Sequence, residues 1–185
     1  MLRASLCMLV MFTVLTGVIY PLAMTGLAKS LFPAQAAGSL ITEGGKLRGS
    51  TLIGQAFAEP KYFWSRLSAT GPFPYNAGSS SGSNYGPRNP DLKKATEARR
   101  AALAAVDPGN SALPPIDLLT ASGSGLDPHV SPEAAEYQAA RVARVRGLAV
   151  ERVRQLIAAH TEGRQWGFLG EATVNVVALN RALDR

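Results

Sequence analysis

The chain has 185 residues, of which 46% are hydrophobic, and a formal net charge of +6. One cysteine and two histidines exclude a disulfide framework within the chain and are too few for the usual zinc sites, so we predict no metal. Lysine and arginine alternate with acidic residues and form no dense basic stripe with interleaved aromatic residues, which argues against a nucleic-acid partner.

The longest apolar stretch covers residues 4–28 and carries no charged residue. As an α-helix it would be roughly 37 Å long at about 1.5 Å per residue, enough to cross a hydrocarbon core of about 30 Å. A cleaved secretory signal is the alternative, because Arg3 precedes the run and an A-x-A sequence at residues 34–36 follows it. The run is longer than the apolar region of a signal peptide, so we predict an uncleaved lipid-spanning anchor at residues 1–31.

The rest of the chain, residues 32–185, contains no second apolar run that could return across the bilayer. We therefore expect one α+β domain that lies wholly on one side of the membrane. Arg3 and the amino terminus precede the helix, whereas a single Lys29 follows it directly. By the positive-inside rule this predicts a cytoplasmic amino terminus and an extracytoplasmic carboxy-terminal domain.

Thr13, Gly17 and Pro21 follow one another at the spacing of a helical turn inside the anchor. Such a face of small or backbone-breaking residues lets another helix approach closely in lipid. Glycine and proline are also simply common in transmembrane helices, so both interpretations stay open. We take these three residues as candidates for contact with a partner helix.

Short segments rich in β-forming residues and bounded by turn residues predict a small sheet. The predicted strands lie at residues 39–42, 52–53, 62–64, 114–120 and 172–177. Residues 70–90 are rich in glycine, serine, proline and asparagine, but they also carry Phe73, Tyr75 and Tyr85. Because these rings need a packing partner, we expect an ordered surface loop that contacts something.

Two patterns raise the possibility of a hydrolase. Residues 78–82 match G-x-S-x-G with Ser80 at the centre, but a nucleophile elbow needs a strand directly before it and a helix directly after it. Asp127 and His129 lie two residues apart in a turn and could form an acid–base pair. No serine or cysteine stands at a recognisable spacing from them, so a turn that fixes the start of a helix is the preferred interpretation.

Capping residues predict where the helices begin and end. Asn89 before Pro90 and Ser131 before Pro132 are pairs in which the first residue caps the helix and proline takes its first position. Gly147 is expected to end the second helix. The predicted helices cover residues 90–107, 133–146 and 149–160, followed by a short apolar helix through Leu179 and Leu183. The second and third would form a helical hairpin.

These motifs, taken together, resemble the C subunits of bacterial Kdp-type potassium-transporting ATPases over nearly the whole chain. The matching positions are Pro60, Tyr62, Phe63, Arg66, Pro74, Tyr75, Asn76, Ser83, Asn84, Gly86, Pro87, Asn89, Pro90, residues 124–135, Gln138, Arg141, Val142, Ala143, residues 160–164 and residues 174–184. The departures from the family pattern are Leu67 for proline, Ser81 for glycine, Tyr85 for leucine and Gly123 for alanine.

The resemblance implies a non-catalytic accessory subunit of an ATP-driven pump in the bacterial inner membrane. Its partners would be a potassium-channel-like subunit and a P-type ATPase subunit. The sequence agrees, because it has neither an Asp-Lys-Thr-Gly phosphorylation motif nor a G-x-x-x-x-G-K-[ST] phosphate loop. Beside Thr13, Gly17 and Pro21, the candidate partner contacts are Tyr75, Asn76, Asn84, Asp127 and His129.

The resemblance also implies a catalytic chaperone that raises the ATP affinity of the ATP-hydrolysing subunit, with Gln138 contacting the nucleotide. The residue pattern alone makes Gln138 a boundary residue among alanines. ATP is cytoplasmic whereas the domain is expected outside, so we favour assembly and stabilisation of the complex, or a cap over the external potassium entrance. A membrane-anchored extracytoplasmic hydrolase or binding module is the alternative.

Overall fold

The computed structural model describes residues 2–185, which form two compact units that divide after Ser50. Met1, the first residue of the predicted anchor, lies outside the described residues. The first unit begins with a continuous helical run, composed of α1 (Leu2–Val14), a π-helical turn (Leu15–Ile19) and α2 (Tyr20–Leu31). Among the described residues this run is the one helix long and apolar enough to cross a membrane, and none of it is buried. The predicted single transmembrane helix is confirmed, and the helical run ends at Leu31.

The π-helical turn has a local cause in Pro21. Proline has no backbone N–H, so the carbonyl of Gly17 cannot receive the hydrogen bond that residue 21 would give in an α-helix. The N–H of Tyr20 donates instead to the carbonyl of Leu15, one residue further back than in an α-helix. The helix is therefore widened at the glycine that the sequence marks as a candidate contact.

The first unit continues with one turn of helix, α3 (Pro33–Ala36), and an antiparallel hairpin of β1 (Leu40–Glu43) and β2 (Lys46–Ser50). The two glycines between the strands both have positive φ, 56° and 73°, as a two-residue hairpin turn requires. The predicted first strand is confirmed to within one residue. The strand predicted at residues 52–53 is wrong, because the tight turn brings the second strand back at once and those residues form a bend.

The second unit, Thr51–Arg185, contains five helices and a three-stranded antiparallel sheet. The helices are α4 (Pro90–Val106), α5 (Ile116–Leu119), α6 (Pro132–Arg146), α7 (Val150–Ala159) and α8 (Val176–Leu183), and the strands are β3 (His129–Val130), β4 (Thr161–Glu162) and β5 (Thr173–Asn175). The strands lie in the order β3-β5-β4, and α6 packs on α7. The α+β class and the helical hairpin are confirmed.

The predicted helix caps are confirmed. The side chain of Asn89 accepts a hydrogen bond from the N–H of Asp91, and that of Ser131 accepts one from the N–H of Ala134. Gly147 ends α6 in the left-handed conformation, at φ 67°. These contacts satisfy backbone groups that a helix end would otherwise leave unpaired, and in each case the bonded groups lie within four residues of one another.

Three predicted strands need correction. Residues 114–120 contain the helical turn α5 and no strand. The strand prediction failed here because an apolar run this short has no periodicity that separates strand from helix. The segment at 172–177 is a strand only to Asn175, whose side chain caps α8 by accepting a hydrogen bond from the N–H of Ala178. Tyr62 forms a bend, and Phe63 and Trp64 belong to no sheet.

Candidate functional site

The side chain of Gln138 lies in the core of the second unit, where it is 1% exposed. Its Oε1 accepts hydrogen bonds from the N–H of Trp64 at 2.8 Å and from the guanidinium of Arg141 at 2.7 Å. Its Nε2 donates to the carbonyls of Trp64 and Ala134, both at 3.1 Å. The interpretation of Gln138 as a boundary residue is wrong. All four hydrogen-bonding positions of its amide are used inside the domain.

Asn180 forms the same kind of hydrogen bonds with the backbone of Phe63, the residue before Trp64. Its Oδ1 accepts from the N–H of Phe63 at 2.8 Å, and its Nδ2 donates to the carbonyl of Phe63 at 2.9 Å. Two side-chain amides, from α6 and α8, therefore bond both backbone groups of two consecutive buried residues. They replace the strand neighbours that the β-rich sequence of this segment predicts. We call Phe63, Trp64, Gln138, Arg141 and Asn180 the amide clamp.

Arg141 completes the amide clamp with a buried positive charge. Its guanidinium donates to the carbonyls of Pro60 and Tyr62 as well as to Gln138. Its Cζ lies 5.5 Å from the centre of the Trp64 ring, and burial lowers its pKa to about 10. The charge is thus retained at neutral pH and is stabilised by carbonyl oxygens and an aromatic face.

Asp127 and His129 lie together at the wall of an open cleft of about 540 Å³. One carboxylate oxygen of Asp127 accepts from the backbone N–H of His129 at 2.9 Å and lies 3.2 Å from its Nδ1, while the other accepts from Arg66 at 3.2 Å. The bond to Asp127 raises the pKa of His129. Burial opposes the charged form of Asp127, but the bonds and charge of His129 and the charge of Arg66 outweigh it and lower the pKa of Asp127. Asp127, His129 and Arg66 thus form a hydrogen-bonded network at the start of β3.

Residues 70–90 form an ordered loop that is held by its own side chains. The hydroxyl of Tyr75 donates to the carbonyl of Arg66 at 2.6 Å, so this ring anchors the loop to the domain. The amide of Asn76 donates to the carbonyl of Gly71 and accepts from the N–H of Gly78. Asn84 is exposed and adopts a left-handed conformation at φ 52°, which asparagine tolerates well. Of these three candidate contacts, Asn84 alone has an exposed side chain that is not committed to holding the loop.

Ser80 does not stand in a nucleophile elbow. One turn of 3₁₀ helix (Ala77–Ser79) precedes it, and residues in neither helix nor strand follow it. Its hydroxyl donates to the carbonyl of Ser124 at 3.0 Å, which ties the loop to the turn before Asp127. Ser80 therefore helps to fix the loop. A backbone carbonyl is not a base that could activate its hydroxyl as a nucleophile.

The structure exposes one surface feature that the sequence analysis missed. Residues 163–170, which we call the aromatic loop, carry Trp166, Phe168 and Leu169 with exposed fractions of 85%, 68% and 43%. The signal was present in the sequence as three large apolar residues among three glycines. From the sequence alone this segment looks the same as a core segment. The difference appears only once the neighbouring strands, β4 and β5, are known to be two and three residues long.

An apolar, unburied helix ahead of an α+β domain defines a single-pass membrane protein. The family model for the K⁺-transporting ATPase c chain, KdpC, matches residues 2–185. A potassium-transporting ATPase KdpC subunit of Polaromonas naphthalenivorans is 63% identical over 99% of this chain and 93% of its own length, and one of Variovorax paradoxus is 60% identical over 99% and 95%. The chain belongs to the KdpC family. Membership gives it an accessory role in a potassium-transporting ATPase complex and confirms the resemblance found in the sequence.

Proposed function

We propose that the chain is a non-catalytic subunit that assembles and stabilises an ATP-driven potassium pump of the bacterial inner membrane, with residues 32–185 outside the cytoplasm. Its partners in this proposal are a potassium-channel-like subunit and a P-type ATPase subunit. The observation that carries the proposal is the match to the KdpC family along residues 2–185. The unburied apolar helix supports it, since such a helix is available for other membrane helices as well as for lipid.

We further propose that any rise in the ATP affinity of the pump is transmitted through the assembled complex and not through a nucleotide held by this chain. What supports this is the burial of Gln138, whose amide bonds Trp64, Ala134 and Arg141. A nucleotide could reach that amide only if the amide clamp opened. The ATP itself would then be bound at the ATP-hydrolysing subunit alone.

The helix face at Gly17 supplies the test of assembly. No atom lies within 4 Å of a Cβ placed on Gly17 or on Gly26, so leucine fits at either position as far as this chain is concerned. Gly17→Leu is expected to reduce the recovery of both larger subunits in mild detergent by about tenfold, since overpacking an interface costs about 1–3 kcal/mol. Gly26→Leu, nine residues further along the helix, is the matched control and should retain them.

Equal recovery from both variants would show that the Gly17 face meets only lipid. Purification of the wild-type chain without any larger membrane protein would overturn the proposed function itself. The two results are distinguishable, because the first tests one face of the helix and the second tests whether the wild-type chain has partners at all.

The sidedness of the domain is tested by a single introduced thiol. Cys7 is first replaced by serine, and Ser80→Cys then places a cysteine on the exposed loop. A membrane-impermeant maleimide is expected to label this variant in spheroplasts, because the loop belongs to the domain proposed to lie outside. Leu2→Cys, at the amino-terminal end of the helix, should be labelled only after lysis. The reverse pattern would place the domain in the cytoplasm.

A further inference from the structure

The aromatic loop groups three exposed apolar side chains on the surface of the second unit. Trp166, Phe168 and Leu169 lie within four residues of one another, and each is exposed by 43% or more. Soluble domains rarely leave large apolar side chains grouped in this way unless they bind something. Tryptophan and phenylalanine are also residue types enriched at the centres of protein interfaces.

The base of the aromatic loop is fixed before any partner binds. Gln165 and Leu169 exchange two backbone hydrogen bonds, each of 2.9 Å. Outside this pair, the side chains of Arg164 and Glu171 form an ion pair at 2.6 Å. Trp166 itself adopts a left-handed conformation at φ 53°, which is unfavourable for a large side chain and presents the ring at the tip. A loop held in this way loses little conformational freedom on binding.

The aromatic loop is continuous with the acidic cleft beside it. Glu171, the residue after the loop, lines the cleft of about 540 Å³ together with Asp117, Asp127 and Glu133, and of these Glu171 is paired with Arg164. The basic residues of the same lining are Arg66 and His129, and both contact Asp127. An occupant that covers the loop and the cleft together therefore needs an apolar pocket with lysine or arginine next to it.

The same charges argue against a lipid surface as the occupant. Aromatic residues that insert into a bilayer interface are typically accompanied by lysine and arginine, which meet anionic head groups. The aromatic loop has one cation, Arg164, and it is paired with Glu171. The neighbouring carboxylates of Asp117 and Glu133 would repel such head groups.

From these observations we propose that the aromatic loop inserts Trp166 and Phe168 into an apolar pocket, flanked by basic side chains, on the external face of another subunit of the pump. The inference rests on the proposed function, which supplies that subunit. It adds the surface through which the domain, as distinct from the membrane helix, contacts its neighbour.

The first test removes the two rings. The double variant Trp166→Ser and Phe168→Ser is expected to lower the recovery of the larger subunits about tenfold in detergent, as loss of interface anchors does. Because both side chains are exposed, the urea midpoint of the chain should stay unchanged. Val145→Ser, an exposed apolar position on α6, is the matched control and should retain the partners.

The second test follows the exposure of Trp166 directly. The chain has two tryptophans, and Trp64 is 6% exposed, so iodide quenching of fluorescence reports mainly on Trp166. In the isolated chain in detergent quenching should be strong. In the complex it should fall, once the signal of a Trp166→Phe complex has been subtracted as background.

Three results would overturn the inference. The first is equal quenching of Trp166 in the complex and in the isolated chain. The second is a double variant that keeps its partners as well as the Val145→Ser control does. In either case the proposed function still stands if the wild-type chain is purified together with its partners. Protection of Trp166 in the chain reconstituted alone into phosphatidylglycerol–phosphatidylcholine vesicles would identify the bilayer as the occupant instead.

Discussion

Replacing Gln138 by alanine is expected to lower the free energy of unfolding of the second unit by about 4 kcal/mol. The substitution leaves both backbone groups of Trp64 without their side-chain partner in the core. Each buried polar group that loses its partner costs about 1–3 kcal/mol, and the cavity adds to this. Since domains are typically stable by about 5–15 kcal/mol, most of the stability would be lost.

Urea unfolding of the full chain in detergent measures this effect. In a Trp166→Phe background Trp64 is the one remaining tryptophan, and it lies inside the amide clamp, so its fluorescence reports on the site itself. Glu136→Gln is the matched control on the same helix. It removes a half-exposed ion pair with Arg154, worth about 0–1 kcal/mol.

The outcome also bears on nucleotide binding. An alanine variant that unfolds at the midpoint of the Glu136→Gln control would show that the amide clamp contributes no stability. If that stable variant also raised the ATP concentration needed for half-maximal activity of the complex, Gln138 would act on nucleotide after all. Loss of stability without a change in the ATP requirement of the surviving complex is the result that our proposal expects.

Features of the fold that depend on neighbouring residues could be predicted from the sequence. The caps at Asn89 and Ser131 and the left-handed stop at Gly147 each involve groups within four residues of one another. The membrane helix follows from composition and length alone. Such features are fixed by local sterics and hydrogen bonding, which the order of residues specifies directly.

Features that depend on distant residues could not be predicted. Whether residues 62–64 join a sheet is decided by Gln138 and Asn180, which lie 74 and 117 positions away from the residues they bond. Both are polar residues on helix faces that are otherwise mostly apolar, with Arg141 as the exception beside Gln138, and this is the signal that could have placed them in the core. The pairing of Asp127 with His129 is local and was foreseen, whereas the contact of Asp127 with Arg66 spans 61 positions and was not.

The turn that leads to Asp127 is the second place where one substitution should have a large effect. Gly125→Ala is expected to lower the free energy of unfolding by about 3 kcal/mol, the sum of left-handed strain and overpacking. Gly125 has φ 67°, and a Cβ on it would lie 2.6 Å from both the carbonyl oxygen of Ser81 and Cγ2 of Thr70. Neither atom can move freely, because Ser81 donates its N–H to the carbonyl of Ser124, and the hydroxyl of Thr70 is bonded to Phe73 and Asn76.

Gly123→Ala is the matched control two residues earlier in the same turn, since no atom lies within 4 Å of a Cβ placed there. Its urea midpoint should stay close to that of the wild type, whereas that of Gly125→Ala should fall. Displacing Ser81 also frees residues 70–90, so brief chymotrypsin treatment should cleave the Gly125→Ala variant faster at exposed Tyr85. Equal midpoints and equal cleavage in the two variants would show that the turn yields to a methyl group without releasing the loop.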